Sequence, residues 1–118
     1  MDLRHNADYV PLPSATMTAS TNGSGIQLLP GRYAVHMNVI VNVSAIGGTS
    51  PSYTFEVQWS YDGTTWASAE TPDTFTAITT NKVVAKQFAV KAPWFRVVST
   101  VTGTTPTATV FATAFVTA

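Results

Sequence analysis

Two histidines, His5 and His36, and six carboxylates, Asp2, Asp8, Glu56, Asp62, Glu70 and Asp73, are the groups that could ligate a metal or move a proton. A tetrahedral metal site needs three or four ligands that converge, and the sequence has no H-E-x-x-H or comparable spacing. His36 lies in an alternating strand-like run and His5 stands far from it in the N-terminal segment. No motif pairs two of the carboxylates for acid–base work. The chain has no cysteine, which removes disulfides, thiol nucleophiles and thiolate ligands together. It also lacks G-x-S-x-G and any phosphate-binding glycine loop. The expectation is a chain without catalytic residues, metal or cofactor.

The aromatic residues offer a different chemistry. Trp59, Tyr61, Trp66 and Trp94 could stack on a sugar, but Trp59 shares a face with Phe55 and Val57 and reads as core. Trp94, between Pro93 and Arg96, is a candidate for exposure. Ser60-Tyr61-Asp62-Gly63-Thr64-Thr65-Trp66 carries the most specific local signal, because Asp-Gly between alternating segments marks a tight hairpin turn. The run resembles the S-x-D-G-x-T-W hairpin of discoidin-like β-sandwich modules. It is one residue shorter than the Asp-box of sialidases and propellers. In those families the motif is structural, so the resemblance implies a capping role for Asp62 and a Trp66 returning toward the core.

These groups must be positioned by strands, because period-2 alternation dominates and no window keeps helical spacing. From Arg32 to Ala45, Tyr33, Val35, Met37, Val39, Val41 and Val43 fall on one face; Ala34, His36, Asn38, Asn42 and Ser44 fall on the other. Pro30-Gly31 is the turn before it. A second strand, Tyr53 to Tyr61, turns Tyr53, Phe55, Val57, Trp59 and Tyr61 inward. Further strands are expected at Ile26–Leu29, Phe75–Thr79, Val83–Val90, Trp94–Thr102 and Thr107–Val116. Lys82, Lys86 and Lys91 flank one of them, where lysines guard an edge against unwanted pairing. The result is all-β: a two-layer antiparallel β-sandwich of seven to nine strands over residues 26–118, jelly-roll-like ahead of immunoglobulin-like. Residues 1–25, with Pro11, Pro13, Gly23 and Gly25, read as an irregular arm with at most one short strand, packed on the domain or on a neighbour.

A weak internal repeat relates Gly48-Thr49-Ser50-Pro51 to Gly103-Thr104-Thr105-Pro106 at an offset of 55 residues. It predicts two equivalent hairpins. Upstream it pairs Val41 with Arg96, whereas apolarity favours Phe95, Val97 and Val101 as the inward set. The apolar pattern takes precedence, because a one-residue shift flips every side chain of a strand.

Charged residues make up only 10% of the chain, against roughly 25% in ordinary soluble domains, and the formal net charge is zero. Twenty threonines fill the gap. Either outward strand positions are covered in hydroxyls, or neighbouring subunits cover much of the surface. Neutrality argues against a nucleic-acid partner, which needs a basic face. Two uncharged stretches, Tyr33 to Phe55 and Val97 to Ala118, are long enough to span a bilayer, but their Gly-Thr-(Ser/Thr)-Pro interruptions exclude a buried helix. The polar residues 1–8 do not read as a secretory signal.

Residues Ala92 to Thr107 and Phe55 to Trp66 resemble, in composition and hairpin motifs, small β-sandwich structural proteins of tailed bacteriophages, among them capsid decoration (cement) proteins and tail-fibre components. The resemblance implies a non-enzymatic virion protein on the capsid surface, assembled in the host cytoplasm. Its implied partners are copies of itself, often in a trimer, and the major capsid protein. A carbohydrate-binding or adhesion module, with a glycan on the tryptophans, is the alternative. The last strand supplies candidate contacts: Val110, Ala112, Ala114 and Val116 lie on one face, and Phe111 and Phe115 on the other. One core can cover only one of these faces, and the repeat maps Phe55 and Val57 onto Val110 and Ala112, which assigns the small residues inward; Phe111, Phe115 and Trp94 are therefore expected at a subunit interface.

Overall fold

Two strands, each more than twenty residues long, organise the molecule. The computed structural model describes residues 8–28 and 35–117. The strands are β1 (Asp8–Met17), β2 (Thr21–Asn22), β3 (Ile26–Gln27), β4 (His36–Ser60), β5 (Asp73–Thr74), β6 (Lys82–Ala89) and β7 (Trp94–Thr117). Among the described residues there is no helix. Every pairing is antiparallel. β4 and β7 pair with each other along almost their whole lengths and bend together near their middles. One continuous sheet is thereby folded into two layers. The first layer runs β1, second half of β7, first half of β4, β6; the second runs β2 and β3, first half of β7, second half of β4, β5.

The bend falls on the internal repeat. The repeat marks two paired corners where hairpins were expected, and the two strands read on either side of it join, from His36 to Ser60, into the single strand β4. Likewise Trp94–Thr102 and Thr107–Val116 are halves of β7. Gly48 and Gly103 have φ of +104° and +115°, and their repeat-related successors Ser50 and Thr105 are also left-handed at +50° and +46°. A Cβ on Gly48 would lie 2.5 Å from the Thr105 carbonyl oxygen, and one on Gly103 would lie 2.7 Å from that of Ser50. Glycine is therefore required at both positions. Thr49 pairs with Thr104, its own repeat mate, so a local two-fold passes between them. Three register shifts between Ser44 and Ser52 then put the upstream halves out of phase. Phe95 and Val97 are buried and Arg96 faces outward, as the apolar pattern predicts.

The two inner faces close one core. Met37, Val39, Val41, Val43, Val110, Ala112 and Ala114 in the first layer meet Tyr53, Phe55, Val57, Trp59, Phe95 and Val97 in the second. In the first layer Ala112 and Ala114 of β7 lie beside Val41 and Val39 of β4, whereas in the second Phe95 lies beside Trp59. Tyr9 meets Phe95 edge-on across the layers (5.7 Å), as Phe75 meets Phe88 (5.5 Å). Buried polar atoms are satisfied: Tyr53 Oη donates to the Met17 carbonyl (2.8 Å), and Ser99 Oγ accepts the Thr21 N–H (3.1 Å).

Several expectations need correction. The segment read as an irregular arm supplies β1, a ten-residue edge strand. Its Pro11 and Pro13 are tolerated because an edge strand leaves donors unused, and two register shifts accommodate them. The stretch 75–79 is not a strand; Phe75 donates one backbone bond to Phe55, and Ile78 exchanges two with Tyr53 as an isolated bridge to β4. Tyr61 is 74% exposed, because β4 ends at Ser60. The Pro30-Gly31 turn, residues 32–34, His5 and Asp2 lie outside the described residues.

Candidate functional site

The sandwich presents two outer faces, and the residues singled out from the sequence divide between them. Trp94 lies in the second layer, whereas Phe111 and Phe115, further along the same β7, lie in the first. The corner between them turns the strand over, so these three residues do not form one patch.

On the outer face of the second layer, β7 contributes Trp94, Arg96 and Val98 and β4 contributes Glu56, Gln58 and Ser60. The Arg96 guanidinium stacks on the Trp66 ring at 4.7 Å, and its Nε–H donates to Gln58 Oε1 (2.9 Å). The loop after β4 folds over this end. Trp59 and Ala67 exchange two backbone hydrogen bonds, both 2.9 Å, so residues 60–66 form a wide loop and not the two-residue hairpin expected. Gly63, at φ +83°, sits on Trp94: a Cβ there would lie 3.0 Å from two atoms of that ring. Trp66 is half-buried against Gly25 and Arg96 and does not reach the core. The aromatic residue under the turn is thus Trp94, a contact between distant segments that local spacing could not show.

Asp62 holds this loop as the motif implies. Its Oδ1 accepts the Thr65 N–H (2.8 Å) and the Thr64 N–H (2.9 Å), and the Ser60 hydroxyl donates to the same oxygen (2.9 Å). The backbone N–H groups of Thr65 and Thr64 hold its carboxyl well below the usual carboxylate range. Every one of these bonds is internal to the loop. Nearby, Asp73 Oδ2 accepts both the Trp59 indole N–H and Lys91 Nζ, each at 2.8 Å. Of the aromatic set read as a sugar platform, Trp59 is core and Trp66 and Trp94 each have neighbours against the ring; Tyr61 alone is exposed.

The outer face of the first layer is different in kind. Reading across the register, Phe111, Thr113, Phe115 and Thr117 on β7 lie beside Asn42, Ile40, Asn38 and His36 on β4, and these beside Val83, Ala85, Gln87 and Ala89 on β6. Phe111 and Phe115 are each 37% exposed and Val83 62%, with Val10 of β1 at 48%. Among the described side chains, no aspartate, glutamate, lysine or arginine alternates onto this face. Lys82 and Lys86 fall on the opposite side of β6, and Lys86 Nζ reaches across to the Thr74 carbonyl of β5 (2.7 Å). Of the lysines read as edge guards, Lys86 and Lys91, the latter through Asp73, tie the two layers together at their rim. Among the described residues no group of three or more histidine and carboxylate side chains converges.

No protein-family model matches the chain, and no curated protein matches it in sequence. Among solved structures it is similar to the PBSX exported protein XepA, with a TM-score of 0.64 at 11% sequence identity. The match covers all of this chain and 39% of that one. At this identity the likeness is one of fold: the β-sandwich is a unit that also occurs inside a longer protein.

Proposed function

We propose that this chain is a non-enzymatic phage structural protein that works as a subunit of a particle through the outer face of its first layer. The observation that carries this is the uncharged sheet face on which Phe111 and Phe115 stand. Burying a phenylalanine side chain is worth roughly 1.5–3 kcal/mol, and apolar faces of this kind mark association surfaces. The fold shared with an exported protein of phage PBSX supports the phage assignment. Within a particle, the reading we favour is capsid decoration: the chain as a cement protein on the head, contacting copies of itself and the major capsid protein. The near absence of charge suits a surface that is covered in the assembled state.

The test is to purify particles of the phage that encodes the chain and look for it there. The Phe111→Asp, Phe115→Asp double variant should remain folded and fail to incorporate. Normal incorporation of that variant would overturn the role given to this face; absence of the wild-type chain from particles would overturn the structural role altogether.

A further inference from the structure

We infer that the outer face of the first layer is self-complementary and stacks on the same face of a second copy of this chain around a two-fold axis. The inference rests on the structural role proposed above and names the partner that the face meets first.

Three features select this occupant. The first is charge. A partner bringing ionised groups to this face would strip their water and find no counter-charge along β7, β4 and β6, which is costly. The covering surface must therefore be uncharged and β-like, and this chain carries such a surface. Its second layer does not qualify, since Glu56 and Arg96 stand on that outer face.

The second is that growth at the sheet edges is blocked. β1 carries Pro11 and Pro13, which offer no N–H, and is broken by two register shifts. β6, the opposite edge, carries Lys82 and Lys86. Copies cannot readily extend the sheet sideways, so the face is the surface left for association.

The third is size and symmetry. Four strands spaced about 4.8 Å apart, over about eight residues of 3.3 Å, give roughly 500 Å² per copy. Two copies then cover on the order of 1,000 Å², the lower bound for a specific, weak association. Phe111 and Phe115 straddle Thr113, which pairs with Ile40 in the middle of the face. A two-fold lying in the plane of the face, across the strands at Thr113, would set Thr113 against its own counterpart and Phe111 of each copy against Phe115 of the other, as an isologous contact requires. Such a contact gives dimers or pairs of rings, not an isolated trimer.

The chain has no cysteine, so single-cysteine variants of the full chain report the contact cleanly. Thr113→Cys should form an intermolecular disulfide under mild oxidation, whereas Thr100→Cys, on the outer face of the second layer, should not. Analytical ultracentrifugation should show the wild type dimerising in the micromolar range. The Phe111→Asp, Phe115→Asp variant should weaken this at least 100-fold, with unchanged circular dichroism. A wild type that stays monomeric to millimolar concentration, equal cross-linking at both positions, or a double variant that dimerises normally would each overturn the inference. Particle incorporation separates the two claims. A monomeric wild type whose incorporation still needs Phe111 and Phe115 would leave the structural role standing and remove only the second copy. A face-to-face dimer indifferent to incorporation would do the opposite.

Discussion

On the second layer the large outward side chains are engaged within the chain: Trp94 lies under Gly63, and Trp66 lies against Arg96, which bonds in turn to Gln58. On the first layer Phe111 and Phe115 stand in a row of threonine, asparagine and small apolar residues and remain 37% exposed. Both faces come from the same two strands, and the corner at Gly48 and Gly103 hands each strand from one face to the other. The difference comes from connections. The long loop after β4 and the segment before β3 pass over the end of the second layer and use its aromatics as internal packing. Exposed aromatic residues on one strand can therefore belong to two separate roles, one within the fold and one outside it.

If that division holds, substitutions on the second layer should cost stability and spare association. The largest effect is expected for Trp94→Ala, which removes the ring beneath the Gly63 turn and should lower unfolding free energy by roughly 2–3 kcal/mol in chemical denaturation. Arg96→Ala should cost about 1 kcal/mol, because the stacking on Trp66 and the bond to Gln58 go together. Arg96→Lys should recover little of it, since an ammonium cannot stack as a planar guanidinium does.

Asp62 gives a pH-dependent version of the same contrast. Its folded-state carboxyl is held down chiefly by the Thr65 and Thr64 N–H groups, so its stabilisation is complete above the unfolded carboxyl value near 3.9 and lost as pH falls below it. An Asp62→Asn variant cannot lose a charge there. The Tm advantage of wild type over this variant should shrink between about pH 5 and about pH 3. A constant gap would detach Asp62 from the loop. The smallest effect on the fold belongs to the first layer: Phe111→Thr should shift the stability of the isolated domain by within about 0.5 kcal/mol, a typical value for a surface position.

Much of this was legible in the sequence. Alternation placed Met37 to Val43 and Tyr53 to Trp59 inward, because burial is read directly from period two. The last strand is apolar on both faces, and there the repeat, which sets Val110 and Ala112 against Phe55 and Val57, turned the small residues inward and Phe111 and Phe115 out. The corners were not legible. A Gly-Thr-x-Pro run reads equally well as a hairpin loop or as a bend in a continuing strand, and only the pairing of Thr49 with Thr104 distinguishes them. That ambiguity grouped Trp94 with Phe111 and Phe115, since the strand that joins them does not announce where it changes layer. β1 was obscured by its two prolines, which local propensity counts against a strand and an edge position permits.

Hydroxyl-radical footprinting of the free chain and of the assembled particle measures the central claim most directly, with Tyr61 as an internal reference at 74% exposure. Phe111 and Phe115 should lose most of their reactivity on assembly while Tyr61 and Trp94 keep theirs. Protection of Tyr61 and Trp94, with Phe111 and Phe115 as reactive in the particle as in the lone chain, would contradict the account.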